Sequence, residues 1–97
     1  MSYGCNYFPC RVAVTPDRKK VYVTHTFSDI VSVIDTATNK VTATVNVGNN
    51  PIGVVVNPAG TKVYVANYGG NTVSVINTLA NKVTKTVNVG NGPYGVA

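Results

Sequence analysis

Thr44-Val45-Asn46-Val47-Gly48-Asn49 returns unchanged as Thr86-Val87-Asn88-Val89-Gly90-Asn91, 42 residues further on. Outward from that run the correspondence holds at the same offset. Val21-Tyr22-Val23 recurs as Val63-Tyr64-Val65, Val31-Ser32-Val33-Ile34 as Val73-Ser74-Val75-Ile76, and Asn39-Lys40-Val41-Thr42 as Asn81-Lys82-Val83-Thr84. Residues 51–92 are thus an ungapped near-copy of residues 9–50, and residues 93–97 open a third copy. The chain divides into a leading segment (1–8), two complete units (9–50 and 51–92) and a stub (93–97).

Valine and threonine dominate the repeat, and their β-branched side chains suit a pleated surface. Glu and Trp are absent, and no window spaces apolar residues as a helix face would. The reading is all-β with almost no helix. Strands are predicted at 11–15, 20–25, 30–35 and 40–47, and again at 53–57, 62–67, 72–77 and 82–89. Turn residues separate them: Pro16-Asp17 and Pro58-Ala59-Gly60, Phe27-Ser28-Asp29 and Gly69-Gly70-Asn71, then 36–39 and 78–81. Four evenly spaced short strands per unit make an antiparallel meander. A repeat of about 40–45 residues in four strands is the pattern of a β-propeller blade.

A sheet with one wet face alternates apolar with polar residues, whereas a blade is covered on both faces by its neighbours. Gly53-Val54-Val55-Val56 and Ser74-Val75-Ile76 do not alternate cleanly, so both faces are expected to be at least partly buried. The strand that opens each unit is small and apolar, with Gly53 and Gly95 beside valines, as suits blades crowding an axis. Tyr22 and Tyr64 are expected between blades with their hydroxyls bonded at an edge.

These residues resemble the YVTN-type β-propeller repeats of prokaryotic surface-layer and other cell-surface proteins. The matching stretches are Val63-Tyr64-Val65-Ala66-Asn67, Asn71-Thr72-Val73-Ser74-Val75-Ile76-Asn77-Thr78, Asn81-Lys82-Val83 and Pro93-Tyr94-Gly95-Val96-Ala97. The resemblance covers residues 9–97 and implies a binding or structural role at a cell surface, without a fixed catalytic motif. The first unit departs from it. His25 follows Tyr22-Val23-Thr24 where the pattern has Asn, Arg11 replaces an early Gly, and Phe27-Ser28-Asp29-Ile30 replaces Gly69-Gly70-Asn71-Thr72.

Propellers have roughly 4–8 blades, and this chain encodes two. Alone, two blades would leave two broad apolar faces in water, more than soluble monomers usually tolerate. The expected partners are other copies of the chain, associating head to tail into a ring, or further blades of a longer protein. Three copies would give six blades and four would give eight. In a ring of copies, residues 93–97 would contend with residues 11–14 of the next subunit for one strand position.

Eight basic and three acidic residues give a net charge of +5. Only Arg18-Lys19-Lys20 forms a cluster, and Lys20/Lys62 and Lys40/Lys82 recur at matched strand starts, where charge discourages strand addition. Without a nucleic-acid-binding motif or aromatic-basic interleaving, no nucleic-acid partner is expected. Cys5 and Cys10 can close a short disulfide or stand as two thiols. Neither they nor His25 offers metal-ligand spacing, so no metal or cofactor is expected.

Asp17, Asp29 and Asp35 align with Ala59, Asn71 and Asn77, so no acid recurs between units. Ser32 and Ser74 lie mid-strand outside any Gly-x-Ser-x-Gly turn. The chain is therefore read as a non-enzyme. Binding falls to the loops and axial strand: Phe27, Ser28, Asp29, Tyr68, Gly69, Gly70 and Asn71, with Arg11 and Tyr94 near the axis. Tyr and Asn together can stack on and hydrogen-bond a sugar, so a carbohydrate is a candidate ligand beside a protein. Met1 to Phe8 holds no basic and apolar signal-peptide pattern, and no stretch is long enough to span a membrane.

Overall fold

The computed structural model describes residues 11–93. Eight strands form two four-stranded antiparallel meanders, β1 (Val12–Val14), β2 (Lys20–His25), β3 (Ile30–Asp35) and β4 (Lys40–Asn46), then β5 (Pro51–Val56), β6 (Lys62–Asn67), β7 (Thr72–Asn77) and β8 (Lys82–Asn88). Each sheet keeps the order of the sequence, β1-β2-β3-β4 and β5-β6-β7-β8. Among the described residues the one helical element is a single 3-10 turn at Tyr68–Gly70.

Turn chemistry sets the strand ends. Asp29, Asn39, Asn71 and Asn81 take the left-handed conformation, with φ of 59°, 57°, 56° and 53°. Short polar side chains tolerate that region where bulkier residues do not. Asn39 and Asn81 close matching turns by donating their amides to the carbonyls of Asp35 and Asn77. The same irregularity recurs in both sheets. Register shifts between Val33 and Ile34 in the β3–β4 pair, and between Val75 and Ile76 in β7–β8. Thr42 and Thr84 are the extra residues, each hydroxyl donating to the carbonyl of Val33 or Val75.

Four of the predicted strands shift at their ends, β4 and β8 each stopping one residue sooner than expected. β1 is shorter than expected, and β5 starts at Pro51 instead of Gly53 because Pro51 already pairs with Asn67. A bulge between Pro51 and Val54 absorbs the offset, and Gly53 lies within it. The leading segment with Cys5 and Cys10, and Tyr94, Gly95, Val96 and Ala97 of the stub, lie outside the described residues.

The core sits between the sheets. Tyr22, Val31, Val33 and Val45 of the first sheet meet Val63, Val65 and Ile76 of the second, with Ala43, Val47, Val54, Val56 and Val83 packed around them. Cross-strand pairing explains the membership. Tyr22 is opposite Val33, and Val31 is opposite both Thr24 and Val45, so these side chains share one face. Val63 pairs with Ile76 and Val56 in the same way on the second sheet.

Candidate functional site

The two sheets bury opposite faces, and this asymmetry defines the surfaces available to a partner. In the first sheet the covered face carries Tyr22 and Val45, at 0% and 4% exposure, while Val12, Val14 and Val41 on the other face stand 61%, 50% and 53% exposed. In the second sheet the assignment is reversed. Val63, Val65 and Ile76 are covered, whereas Val87, 42 residues after Val45, is 40% exposed and Tyr64 is only partly buried. The expectation that both strand faces are at least partly buried holds for the residues it was read from, 53–56 and 74–76, while Val12, Val14, Val41 and Val87 of the edge strands stand exposed on the outer faces. No further sheet covers those among the described residues.

The joint between the sheets is polar at its rims. Tyr22 donates its hydroxyl to Asn81 Oδ1 at 3.2 Å, and Lys20 Nζ donates to the Thr78 carbonyl at 3.0 Å. Burial pushes the Tyr22 hydroxyl pKa up, since its charged form would lose water. Thr24 and Thr26 donate their hydroxyls across the joint to the carbonyls of Ile52 (3.0 Å) and Pro51 (2.9 Å). Asn50 Nδ2 donates to the Thr26 carbonyl at 3.2 Å. Lys20 is thus more than an edge charge, because its ammonium ties one sheet to a turn of the other.

Gly48 and Asn67 approach each other closely. A Cβ on Gly48 would fall 2.7 Å from Asn67 Nδ2, so a side chain there would force Asn67 to move. Asn67 is wholly buried and donates Nδ2 to Thr72 Oγ1 at 3.1 Å and Ser74 Oγ at 2.8 Å. Its counterpart His25 makes the equivalent contact, Nε2 to Ser32 Oγ at 2.7 Å. Gly90, the counterpart of Gly48, has no atom within 4 Å of its would-be Cβ. Thus His25 stands in the strand position of Asn67 and preserves its serine partner.

The loop residues singled out from sequence gather at one end of the sheets, where the β2–β3 turn, the β4–β5 connection and the β6–β7 turn join in a belt of backbone bonds. Asp29 Oδ1 accepts from the Asn50 amide at 2.9 Å, and Asn71 Oδ1 accepts from the Gly92 amide at 2.8 Å. Tyr68 and Gly69 donate their amides to the carbonyls of Asn50 and Asn49. The Tyr68 ring lies over Gly92, where a Cβ would sit 3.2 Å from it. Gly69 is packed against Asn50 so closely that a Cβ would overlap its side-chain oxygen. Phe27 and Ser28 are exposed at the tip of their turn. Arg11, just before β1, accepts the Thr24 amide at its carbonyl and donates its own amide to the Thr24 hydroxyl.

The structure therefore gives Asp29 and Asn71 the same task, holding the segment that leads out of each sheet, and leaves Phe27, Ser28 and Tyr68 as the exposed side chains of that end. Sequence reasoning passed over Thr24, Thr26, Gly48 and Asn67, although the last two match the family pattern. Two clefts lie outside the belt. One, of about 110 Å³, is on the uncovered face of the first sheet and is lined by Val23, His25, Ser32, Ile34, Asn39 and Val41. The other, of about 230 Å³, opens between the sheets at the opposite end, beside Thr15, Asp17, Lys20, Thr61 and Thr78. No helix among the described residues is long and apolar enough to cross a membrane.

No family model and no curated protein sequence matches the chain. Solved structures do. Hydrazine synthase of Kuenenia stuttgartiensis is similar over 87% of this chain and 24% of its own, with 30% identity and a TM-score of 0.84. Apo AztD of Citrobacter koseri is similar over 91% of this chain and 26% of its own, with 21% identity and a TM-score of 0.74. A functionally unknown protein of Desulfotomaculum acetoxidans aligns with 100% of this chain and 32% of its own, at 18% identity and a TM-score of 0.84. The chain spans about a quarter to a third of the length of these proteins. The first two are of β-propeller type and bear out the all-β reading: the chain is a β-propeller module in which each four-stranded sheet is a blade.

Proposed function

We propose that the chain is a structural and protein-interaction module of the YVTN type, supplying two blades to a ring that further blades complete. The completing blades come from other copies of the chain or from a longer surface protein. The observation that carries this reading is the reversal of burial between the blades. Each blade covers one face with its neighbour and leaves large apolar side chains exposed on the other, Val12, Val14 and Val41 on one side and Val87 on the other. Exposed apolar surface of that kind marks an interaction site, and repeats that stack on neighbours need company at both ends. The blades are given no catalytic role, and the exposed loop residues Phe27, Ser28 and Tyr68, with Arg11, are left as the surface for a protein or carbohydrate ligand.

A concatemer tests the reading whatever the natural partner is. Three or four copies of residues 9–92 joined in one polypeptide, keeping the 42-residue register, should give a β-rich monomer at one of the two lengths. That length should resist protease and unfold at much higher denaturant than the single chain. If both concatemers melt and digest like the single chain, the two blades do not belong to a ring.

A further inference from the structure

The cleft on the uncovered face of blade 1 has an occupied twin inside the same chain. Its lining residues Val23, Ile34, Asn39 and Val41 correspond, 42 residues on, to Val65, Ile76, Asn81 and Val83 of blade 2. Val65, Ile76 and Val83 belong to the core that contains Tyr22, and Asn81 accepts the Tyr22 hydroxyl. Blade 2 is thus the filled version of the surface that blade 1 presents empty. The side chain that fills it, Tyr22, also has a twin. Tyr64 stands on the uncovered face of blade 2 among Val73, Val75 and Val87, the counterparts of Val31, Val33 and Val45.

Building on the two-blade module reading, we propose that the partner is a second copy of this chain, docked head to tail, with Tyr64 of one copy seated in the Val23, Ile34, Asn39 and Val41 socket of the next. The Tyr64 hydroxyl donates to Asn39 Oδ1 as Tyr22 donates to Asn81, and Lys62 Nζ donates to the Thr36 carbonyl as Lys20 does to Thr78. The receiving turn is already in shape. Asn39 holds a φ of 57° against 53° for Asn81, and each closes its turn on the residue four before it. Gly90 is open where Gly48 is filled by Asn67, and the group that reaches it is His25 of the next copy.

The interface extends one already present between the blades, so its complementarity needs no invention. Four positions differ. His25 replaces Asn67 in the socket, and Tyr68 replaces Thr26 and forgoes its hydroxyl bond to a carbonyl of the next blade. Ala66 replaces Thr24 and forgoes one hydroxyl bond, and Lys85 replaces Ala43 on the outermost strand, where a long side chain lays its stem on apolar surface and keeps its charge in water. The contact is heterologous, since it joins two different faces, and that property is what the test exploits.

Val41→Asp blocks the socket face and Val87→Asp blocks the tyrosine face, each at a side chain exposed in the single chain. Light scattering on the full chain should show an assembled wild type and single-chain masses for both variants. Mixed one to one, the two variants should form a particle of two chains, because one intact socket then meets one intact tyrosine face. Tyr64→Ala should weaken assembly at least tenfold, with Tyr64→Phe much closer to wild type. Circular dichroism checks that each variant keeps the wild-type β signal, and Val12→Asp replaces Val41→Asp should the latter unfold. The inference is overturned by a monomeric wild type, by variants that assemble like wild type, or by folded variants that do not pair when mixed. A concatemer that closes alongside any of these results would leave the module reading standing and remove the second copy alone.

Discussion

Tyr22 is the side chain on which the contact between the blades turns, and replacing it separates two contributions. The ring is wholly buried in the inter-blade core, and the hydroxyl bond to Asn81 is long, at 3.2 Å, with its acceptor only partly buried. Truncating a buried aromatic residue to alanine costs about 3–5 kcal/mol, whereas an intramolecular hydrogen bond to a hydratable partner contributes about 0.5–1.5 kcal/mol. Tyr22→Ala should therefore destabilise the chain by about 3–5 kcal/mol, and Tyr22→Phe by about 1 kcal/mol or less. A domain of this size has about 5–15 kcal/mol in total, so the alanine variant loses a large share of it. Urea unfolding at one fixed protein concentration, followed by circular dichroism, reads both values from the midpoint if the slope is unchanged. The reasoning is refuted if Tyr22→Ala costs under about 1.5 kcal/mol, or if the phenylalanine variant is as damaged as the alanine variant.

Three further outcomes follow from the same joint and its turns. Gly48→Ala should destabilise by about 1–3 kcal/mol through overpacking against Asn67, and Asn67→Ala in the same chain should recover part of that loss; a neutral Gly48→Ala would show that the blades are not in close contact there. Thr26→Val should cost about 1–3 kcal/mol in the same urea assay, because it leaves the buried Pro51 carbonyl without its 2.9 Å donor. The Thr15 hydroxyl (2.7 Å) and the Lys19 amide (3.0 Å) hold the Asp17 carboxyl below its ordinary pKa. The folded form favours the ionised carboxylate, so the turn's contribution is present above about pH 4 and is lost as pH falls below it. The Lys19 amide resonance should follow that titration and stop doing so in Asp17→Asn, whereas an Asp17 midpoint at or above the ordinary value would contradict it.

Most of the architecture was legible because the repeat prints the fold twice. β2, β3, β6 and β7 begin and end where the turn residues predicted, since Asp29, Asn39, Asn71 and Asn81 each supply a left-handed residue at the break. The bonded hydroxyl of Tyr22 was legible for the same reason, a large amphipathic ring in a Val-rich strand. What stayed hidden depends on the third dimension. The start of β5 at Pro51 follows from pairing with Asn67 across a bulge, and no local propensity announces it. Asp29 and Asn71 drew attention as polar loop residues, but their carboxylate and amide oxygens are occupied by the Asn50 and Gly92 amides. Only the packed blades reveal that Gly48 lies against Asn67 or that Val41 and Val83 meet opposite fates, one in water and one against the core.

The central claim is that two blades are an incomplete unit finished by further blades, here by copies of the same chain. The mass of the purified chain by light scattering coupled to size exclusion, with far-UV circular dichroism on the same peak, tests it most directly. The account predicts a β-rich particle of three or four chains, giving six or eight blades within the roughly 4–8 that propellers use. A β-rich single-chain particle that shows no tendency to associate on concentration would contradict it.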